Sequence, residues 1–205
     1  MLPQCGPGRH LEHIDSLVGE KLASCLDPLT AANPSQEGVT LHHRRGVLLI
    51  RSGAVEWMAS LRALGLRVLH NEHVVLDHDG SHLVMAGVAD FGAHHFDPSH
   101  RSDPQGALAG APAAAGLKVL LAHQPRSAPA AADAGFDVQL SGHTHGGQFW
   151  PWNLFVRLQQ PFTAGLHRLR SLWVYTSRGT GYWGPPLRLG APSEITRLRF
   201  VAAVR

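Results

Sequence analysis

The chain has 205 residues, 44% hydrophobic, 16% charged and 7% aromatic, which is enough for one domain or two small ones with an apolar core. This balance excludes a disordered tail and a membrane-embedded protein. Lys plus Arg number 18 and Asp plus Glu 15, a net charge of +3 that is spread along the chain. The mild excess favours an anionic ligand but lacks the concentrated basic stripe of nucleic-acid-binding proteins, so no nucleic-acid partner is expected.

Targeting signals are missing from the sequence. No stretch reaches the roughly 18 apolar residues of a transmembrane helix, and the first ten residues contain no apolar signal core. We therefore expect a soluble chain with no signal peptide or membrane anchor, and its compartment is left unassigned.

The first 45 residues differ in character from the rest. Spacing of apolar residues predicts a helix over 11–26, and the polar cluster at 42–45 is interpreted as an exposed turn. We expect residues 1–45 to form a poorly ordered N-terminal segment and residues 46–205 to form the folded domain.

Beyond residue 45, predicted strands and helices alternate. The pattern predicts helices over 52–64, 103–109, 128–134 and 153–159, a hairpin turn at Asp77–Gly80, and strands over 46–50, 67–69, 74–76, 82–88, 117–122, 137–140, 172–176 and 194–201. Such alternation is typical of an α/β layered protein.

Histidines follow two of the apolar strands. His123 comes directly after one strand, and His143 and His145 follow the next, within a Gly-His-Thr-His-Gly-Gly run. Ligands gather at the carboxyl edge of α/β sheets, and the glycines let the loop bend tightly. Neutral imidazole nitrogens bind zinc and also suit iron. The sequence therefore predicts a metal site formed by these three histidines, with Asp90 as a further strand-end candidate.

Four segments together carry a family resemblance. They are Ala-His-Gln-Pro at 122–125, Ser-Gly-His-Thr-His-Gly-Gly-Gln at 141–148, Ser-Arg-Gly-Thr-Gly-Tyr-Trp-Gly-Pro-Pro at 177–186 and Pro-Ser-Glu-Ile-Thr at 192–196. Over about residues 46–204 the chain resembles the calcineurin-like metallophosphoesterases, and in particular bacterial, often membrane-associated members that act on phosphodiesters and lipid headgroups. The resemblance implies a two-sheet β-sandwich flanked by helices, incomplete at its N-terminal side.

The resemblance also implies roles for individual residues. Members of the family hold two metal ions that together promote in-line attack of water on phosphorus. His123 and His143 resemble ligands of the second metal, and His145 resembles a ligand of the first. Gln148 and the loop at 179–186 would shape the mouth of the site, and Gln148 and Arg178 would bind the substrate, Arg178 by meeting a phosphate oxygen. An ordinary turn is the alternative for that loop.

Three motifs of the family's N-terminal half are absent from the chain. It contains no Asp-x-His, no Gly-Asp and no Gly-Asn-His-Glu. Asn71-Glu72-His73 has related letters in another order, and we interpret it as structural, since Asn is a normal turn residue at the end of a strand. We expect the N-terminal portion to be truncated or translated out of frame, which sequencing the upstream genomic region would test. Without a bridging carboxylate two dications repel each other, so we expect one weak divalent site for Mn, Zn or Fe.

Two hypotheses for function follow. The first is a metal-dependent phosphoric ester hydrolase, impaired or inactive as this chain, whose substrate is a phosphoester small molecule or a phospholipid headgroup. The alternative is a non-catalytic metal-binding or interaction module on the same fold. Membrane association occurs in relatives, but we see no signal for it in this sequence. Loss of the first strands would also leave one sheet partly uncovered, which favours aggregation.

Overall fold

The computed structural model describes residues 54–78 and 80–201, together with the backbone of two short strands, β1 (His42–Arg44) and β2 (Val47–Leu49). The chain divides into two compact units, one made of Met1–Gly65 and Thr196–Arg205 and the other of Leu66–Ile195. In the first unit β1 and β2 pair antiparallel, and helix α1 spans Ala54–Ala63.

Part of the sequence interpretation concerns residues that lie outside this description. The predicted helix over 11–26 is one such case. The division of the chain into a segment 1–45 and a domain 46–205 stays a prediction.

The second unit is built on a mixed six-stranded sheet. Its strands lie in the order β3-β4-β5-β6-β8-β7, where β4, β5, β6 and β8 run parallel and the two edge strands are antiparallel to their neighbours. The strands are β3 (Glu72–His78), β4 (Ser81–Gly87), β5 (Leu117–Leu121), β6 (Val138–Ser141), β7 (Gly165–Leu169) and β8 (Leu172–Thr176). The helices are α2 (Pro104–Ala107), α3 (Ala128–Ala134) and α4 (Trp152–Gln159). The predicted α/β class is confirmed.

The core lies on the face of the sheet that α2 and α3 cover. Phe136, Leu120 and Val174 are fully buried there, among the alanines of the two helices. Successive strand residues point to opposite faces of a sheet. Leu121 and Trp173 follow buried neighbours and are exposed, so the opposite face of this sheet presents apolar side chains to solvent.

Two predicted strands are wrong. Residues 67–69 are irregular, because Leu69 crosses over the end of β4 and packs against Gly87 without entering the sheet. Residues 194–201 form no strand either. Glu194 is fixed instead by side-chain contacts, since its carboxylate accepts hydrogen bonds from the Tyr175 hydroxyl and the Arg178 backbone N–H, both at 2.9 Å.

Two strands were not predicted. β1 occupies His42–Arg44, where the polar cluster at 42–45 was interpreted as an exposed turn, and it is a strand because its backbone pairs antiparallel with β2. The other is β7. β7 has the sequence Gly-Leu-His-Arg-Leu, in which exposed Leu166 and Arg168 alternate with half-buried neighbours, but the apolar Leu166 lies on the exposed side, so residue polarity does not follow this alternation. The strand is stabilised by its ladder with β8, which pairs every residue from Gly165 to Leu169. Across residues 54–78 and 80–201, no helix has the length and apolar character that crossing a bilayer requires.

Candidate metal centre

The parallel strands bring four polar residues to one edge of the sheet. Asp90 lies three positions after the end of β4, and His123, His143 and Arg178 each lie two positions after β5, β6 and β8. Because these strands run parallel, their carboxyl ends meet at the same edge. The strand-end positions that the sequence indicated are therefore neighbours in the fold.

His123 and His143 approach each other closely. Nε2 of His123 lies 3.2 Å from Nδ1 of His143, and the two rings meet edge to face with centroids 5.0 Å apart. Two nitrogens that each lie about 2.0–2.1 Å from one tetrahedral ion are separated by about 3.3 Å. The spacing of this nitrogen pair is that of a hydrogen bond between two neutral rings, and it also fits two ligands of a single divalent cation.

A buried polar network beneath the rings fixes their backbone. Ser141 Oγ donates to the Ala122 carbonyl at 2.7 Å, and Gln139 Nε2 donates to Ser141 Oγ at 2.8 Å. The Gly142 N–H in turn donates to the His123 carbonyl at 3.0 Å. Because buried hydrogen bonds of this kind are costly to break, the ends of β5 and β6 are held in register where the histidines begin.

Asp90 supplies negative charge beside the pair. Gln124 Nε2 donates to both carboxylate oxygens of Asp90, at 3.0 and 3.3 Å, and the Gly92 N–H donates to one of them at 2.8 Å. The carboxylate is therefore held in place by neutral donors. Its negative charge raises the pKa of both imidazoles and so opposes, in part, the lowering of these pKa values by burial.

Burial keeps both imidazoles neutral. Desolvation lowers the pKa of His143 to about 4, with further lowering by the neighbouring His123. The pKa of His123 is also lowered, again mainly by burial. A neutral imidazole has a lone pair for a metal ion, so at neutral pH neither ring has to lose a proton before it binds one.

A pH titration tests this environment. In the metal-free protein we expect the His143 resonance to titrate at about pH 4 rather than at its ordinary value of 6.5. Between these two pH values the His143 imidazole binds a proton in the unfolded chain but not in the folded one. The contribution of neutral His143 to the free energy of unfolding should therefore be fully present above pH 6.5 and should be lost as the pH falls to about 4. NMR of the imidazoles and urea unfolding at several pH values measure both effects.

His143→Ala should flatten this part of the stability profile. The matched control, His82→Ala, should keep the decrease in the free energy of unfolding between pH 6.5 and about 4. A His143 resonance that titrates at its ordinary value in the folded protein would contradict the burial argument.

His145 has different partners. Nη2 of Arg188 lies 3.2 Å from its Nδ1, and the Gly181 carbonyl lies 3.4 Å from the same atom. Because a guanidinium has no acceptor, Nδ1 accepts from Arg188 and the ring proton is assigned to Nε2. Arg188 also donates to the carbonyls of Gly181 and Arg178, both at 2.7 Å. In this arrangement His145 is held by the following loop.

The structure thus brings together two of the three predicted ligands. Within residues 54–78 and 80–201, no three His, Cys, Asp or Glu side chains are placed so that they could share a metal ion. Nδ1 of His123 is buried and has no hydrogen-bond partner in the described part of the chain. Since metal-binding histidines usually donate from the second nitrogen, the pair lacks the outer support of a tight site.

The loop after His143 has an uncommon backbone. His143, His145 and Gln148 have positive φ angles of 69°, 52° and 55°, and Gly146 and Gly147 have positive φ as well. An L-residue in this region costs about 1–2 kcal/mol and persists only where the surroundings impose it. Thr144 is part of that restraint, because its hydroxyl donates to the Thr163 carbonyl at 2.6 Å.

Gln148 provides a second restraint. Its side chain is fully buried. Its Nε2 donates to the carbonyls of Trp183 and Pro185 at 2.7 and 3.2 Å, and its Oε1 accepts from the Trp183 N–H at 2.6 Å. The amide is therefore occupied by the 183–185 segment, and the substrate contact anticipated for Gln148 stays a prediction.

Arg178 lies beside a cavity of about 230 Å³, which Gly146, Asn153 and Arg157 also line. Its Nη1 is 3.3 Å from a carboxylate oxygen of Glu194. A phosphate oxygen would have to compete with that carboxylate for the guanidinium. The predicted phosphate contact of Arg178 stays a prediction too.

Sequence reasoning missed two residues that organise this region. Arg188 and Glu194 hold the 178–191 loop. Arg188 lies outside the four segments that carry the resemblance, and Glu194 lies within one of them but was given no role. The available signal was the sparsity of acidic residues: Glu194 is the first acidic residue after Asp137. An isolated carboxylate among arginines is a strong candidate for an ion pair.

Curated relatives agree with the motifs. The chain is 40% identical over 163 residues to the bovine "Transmembrane protein with metallophosphoesterase domain", covering 74% of this chain and 36% of that protein. It is 51% identical over 81 residues to a metallophosphoesterase of Campylobacter jejuni, covering 39% of this chain and 22% of that one. It is 31% identical over 147 residues to Escherichia coli phosphodiesterase YaeI, covering 69% and 50%.

No family model matches the chain. The chain spans at most half the length of these three relatives. The bovine alignment nevertheless extends over 74% of this chain, and the strand-end histidines and their glycine-rich loop form part of one α/β sheet. The chain therefore belongs to the calcineurin-like metallophosphoesterase superfamily.

Proposed function

We propose that this chain carries the histidine half of a phosphoesterase site. It binds one divalent cation weakly, as Mn, Zn or Fe, through His123 and His143, and its hydrolysis of phosphoric esters is greatly reduced or lost. The substrate class is a phosphoester small molecule or a phospholipid headgroup. The predicted role of His145, as ligand of a first metal, would fall to its Nε2, because Arg188 and the Gly181 carbonyl face Nδ1.

The separation of the two imidazole nitrogens supports this proposal most directly. At 3.2 Å, His123 Nε2 and His143 Nδ1 fit one ion, and burial keeps both rings neutral. The missing Asp-x-His, Gly-Asp and Gly-Asn-His-Glu motifs support impairment, because the bridging carboxylate that the resemblance implies belongs to one of them. Relatives named metallophosphoesterase and phosphodiesterase support the phosphoester class.

A bound cation supplies Lewis-acid polarisation of a phosphoryl oxygen. The chain's own residues would orient the imidazole ligands and neutralise the charge of the phosphate. Asp90 places a fixed negative charge beside the imidazoles, and Arg178 offers a guanidinium at the cavity once a phosphate replaces Glu194. Since the described residues offer no group placed as general base, we expect proton transfer to be the weakest step of this site.

Metal titration tests the binding half of the proposal. We expect the purified full chain to bind at most one Mn²⁺ per molecule, measured by calorimetry or by the EPR signal of free Mn²⁺. His143→Ala should lower the affinity at least about tenfold, since even loss of an outer-shell partner costs that much. His82→Ala, at an exposed histidine on β4, is the matched control and should bind normally.

Two bound ions per chain, or unchanged affinity in His143→Ala, would contradict this part of the proposal. Hydrolysis of bis-p-nitrophenyl phosphate with Mn²⁺, with YaeI assayed in parallel, tests the second part of the proposal, the reduced hydrolysis of phosphoric esters. We expect turnover at least about a thousandfold below YaeI, the scale of losing preorganised charge stabilisation. Turnover near that of YaeI that disappears in His143→Ala would overturn the impairment.

The alternative is a non-catalytic metal-binding or interaction module. The occupied Gln148 amide and the Arg178–Glu194 pair favour it, since both side chains are engaged within the protein. One tightly retained metal ion with no hydrolysis above the His143→Ala background would support this alternative over a residual hydrolase.

A further inference from the structure

Helix α4 turns its apolar side outward. None of its residues is buried, and Leu154, Phe155 and Leu158 are 56%, 51% and 82% exposed. Amphipathic helices of soluble domains normally direct this stripe into the core. Here the stripe faces solvent, and the more polar Asn153 lies on the less exposed side.

Aromatic side chains extend the exposed surface on both sides of the helix. Trp150 precedes α4, and the Trp152 ring lies 5.8 Å from Phe155 and 6.1 Å from Trp183, centroid to centroid. We define the α4 patch by its exposed members, which are Trp150, Trp152, Leu154, Phe155, Leu158 and Trp183. It contains three of the five tryptophans of the chain. Contiguous exposed apolar surfaces of this kind mark interaction sites.

The charge of the surrounding segment selects one class of partner. From Val138 to Ser193 the sequence contains no Asp or Glu, but it contains five arginines. Two of them pair with acidic residues outside this range, Arg170 with Asp133 and Arg178 with Glu194. Arg157 is exposed on α4 itself and has no acidic partner among the described residues. A basic segment with Trp, Phe and Leu on an exposed helical face is typical of elements that lie in a membrane interface and are attracted to anionic lipids.

The cavity beside α4 has matching polarity. Asn153 and Arg157 lie one helical turn apart on its wall, and Arg178 faces it from the loop after β8. Oδ1 of Asn153 is buried there without a hydrogen-bond partner in the described part of the chain. Two guanidinium groups can receive the phosphate of a headgroup, and the amide can receive a donor that the headgroup carries.

We propose that the α4 patch docks this protein on an anionic phospholipid surface. The helix lies in the plane of the interface, with Leu154, Phe155 and Leu158 among the acyl chains and Arg157 at headgroup level. This differs from crossing the bilayer, for which α4 is far too short. The proposal does not depend on metal binding, because neither His123 nor His143 is a member of the patch.

Co-sedimentation of the full chain with vesicles tests the proposal. We expect binding to vesicles of phosphatidylcholine with about 30% phosphatidylserine, weak binding to pure phosphatidylcholine, and a blue shift of tryptophan fluorescence on binding. Phe155→Ser with Leu158→Ser should reduce binding at least tenfold. Arg157→Gln should reduce binding to the anionic vesicles about fivefold, the equivalent of about 1 kcal/mol per basic residue.

Matched controls separate docking from general stickiness and from the metal site. Phe96→Ser with Leu76→Ser removes the same two residue types from other exposed positions and should bind like the unmodified chain. His143→Ala should also bind normally. Circular dichroism confirms that each variant is folded, which is expected because every substituted apolar side chain is exposed.

Three outcomes would overturn the proposal. They are no binding of the unmodified chain to anionic vesicles, equal binding by the Phe155→Ser/Leu158→Ser variant, and self-association that this variant abolishes while vesicles are ignored. The last outcome would assign the patch to contact between copies of the chain.

Discussion

Replacing Gly147 by alanine is expected to destabilise the folded chain by roughly 3 kcal/mol, the sum of a left-handed backbone conformation and overpacking. Gly147 has φ +81°, and an added Cβ would lie 2.4 Å from both Cα and Cβ of Asn153. Asn153 belongs to α4, so the backbone there cannot move aside without shifting the helix. Urea unfolding followed by tryptophan fluorescence measures the loss.

The same motif provides the control. At Gly142 an added Cβ would meet no atom within 4 Å and φ is not positive. Gly142→Ala is therefore expected to change the free energy of unfolding by less than about 1 kcal/mol. Equal stability of the two variants would mean that the loop does not pack against α4 as described.

Replacing Gln148 by alanine has the second largest expected effect. The substitution leaves the Trp183 N–H and two carbonyls without their buried partner, and an unsatisfied buried group costs about 1–3 kcal/mol. We expect a loss of about 3 kcal/mol in unfolding free energy and release of the 183–185 segment. Chymotrypsin should then cleave faster after Tyr182 and Trp183, which mass spectrometry of the fragments reveals.

Gln159→Ala is the matched control, since Gln159 is exposed and its side chain makes no hydrogen bond among the described residues. It should leave both stability and cleavage unchanged. Normal protease resistance of Gln148→Ala would show that the segment is held by other contacts, such as those of Arg188.

The elements that could be predicted from the sequence are those that a continuous run of apolar or helix-forming residues marks. Helix α3 and strand β8 lie where their apolar runs indicated, over 128–134 and 172–176. Residues 194–201 alternate between apolar and polar side chains, as a strand with one buried face does. Alternation alone does not make a strand, because the backbone also needs a neighbouring strand for its hydrogen bonds. β7 is the opposite case, because pairing with β8 stabilises a segment that has little apolar signal.

For the site, sequence reasoning located the edge of the sheet but not the partners of each side chain. The parallel strands made the meeting of His123 and His143 predictable from topology. The orientation of His145 was not, because it depends on Arg188, which lies 43 positions further along the chain. A contact between residues this far apart in sequence depends on how the loop folds, and the residues next to His145 give no pattern from which it could be predicted.

The position of β7 at the outer edge of the sheet has a consequence for polymerisation. Among the described residues no further strand pairs with the outer backbone edge of β7, and such an edge can template sheet growth between molecules. Arg168 stands on this strand with its guanidinium over the exposed Trp173 ring, 5.3 Å from the centroid, and Arg170 beyond it pairs with Asp133. Two such edges would bring the Arg168 guanidinium groups together across the new ladder, and this like-charge contact disfavours fibril-like stacking.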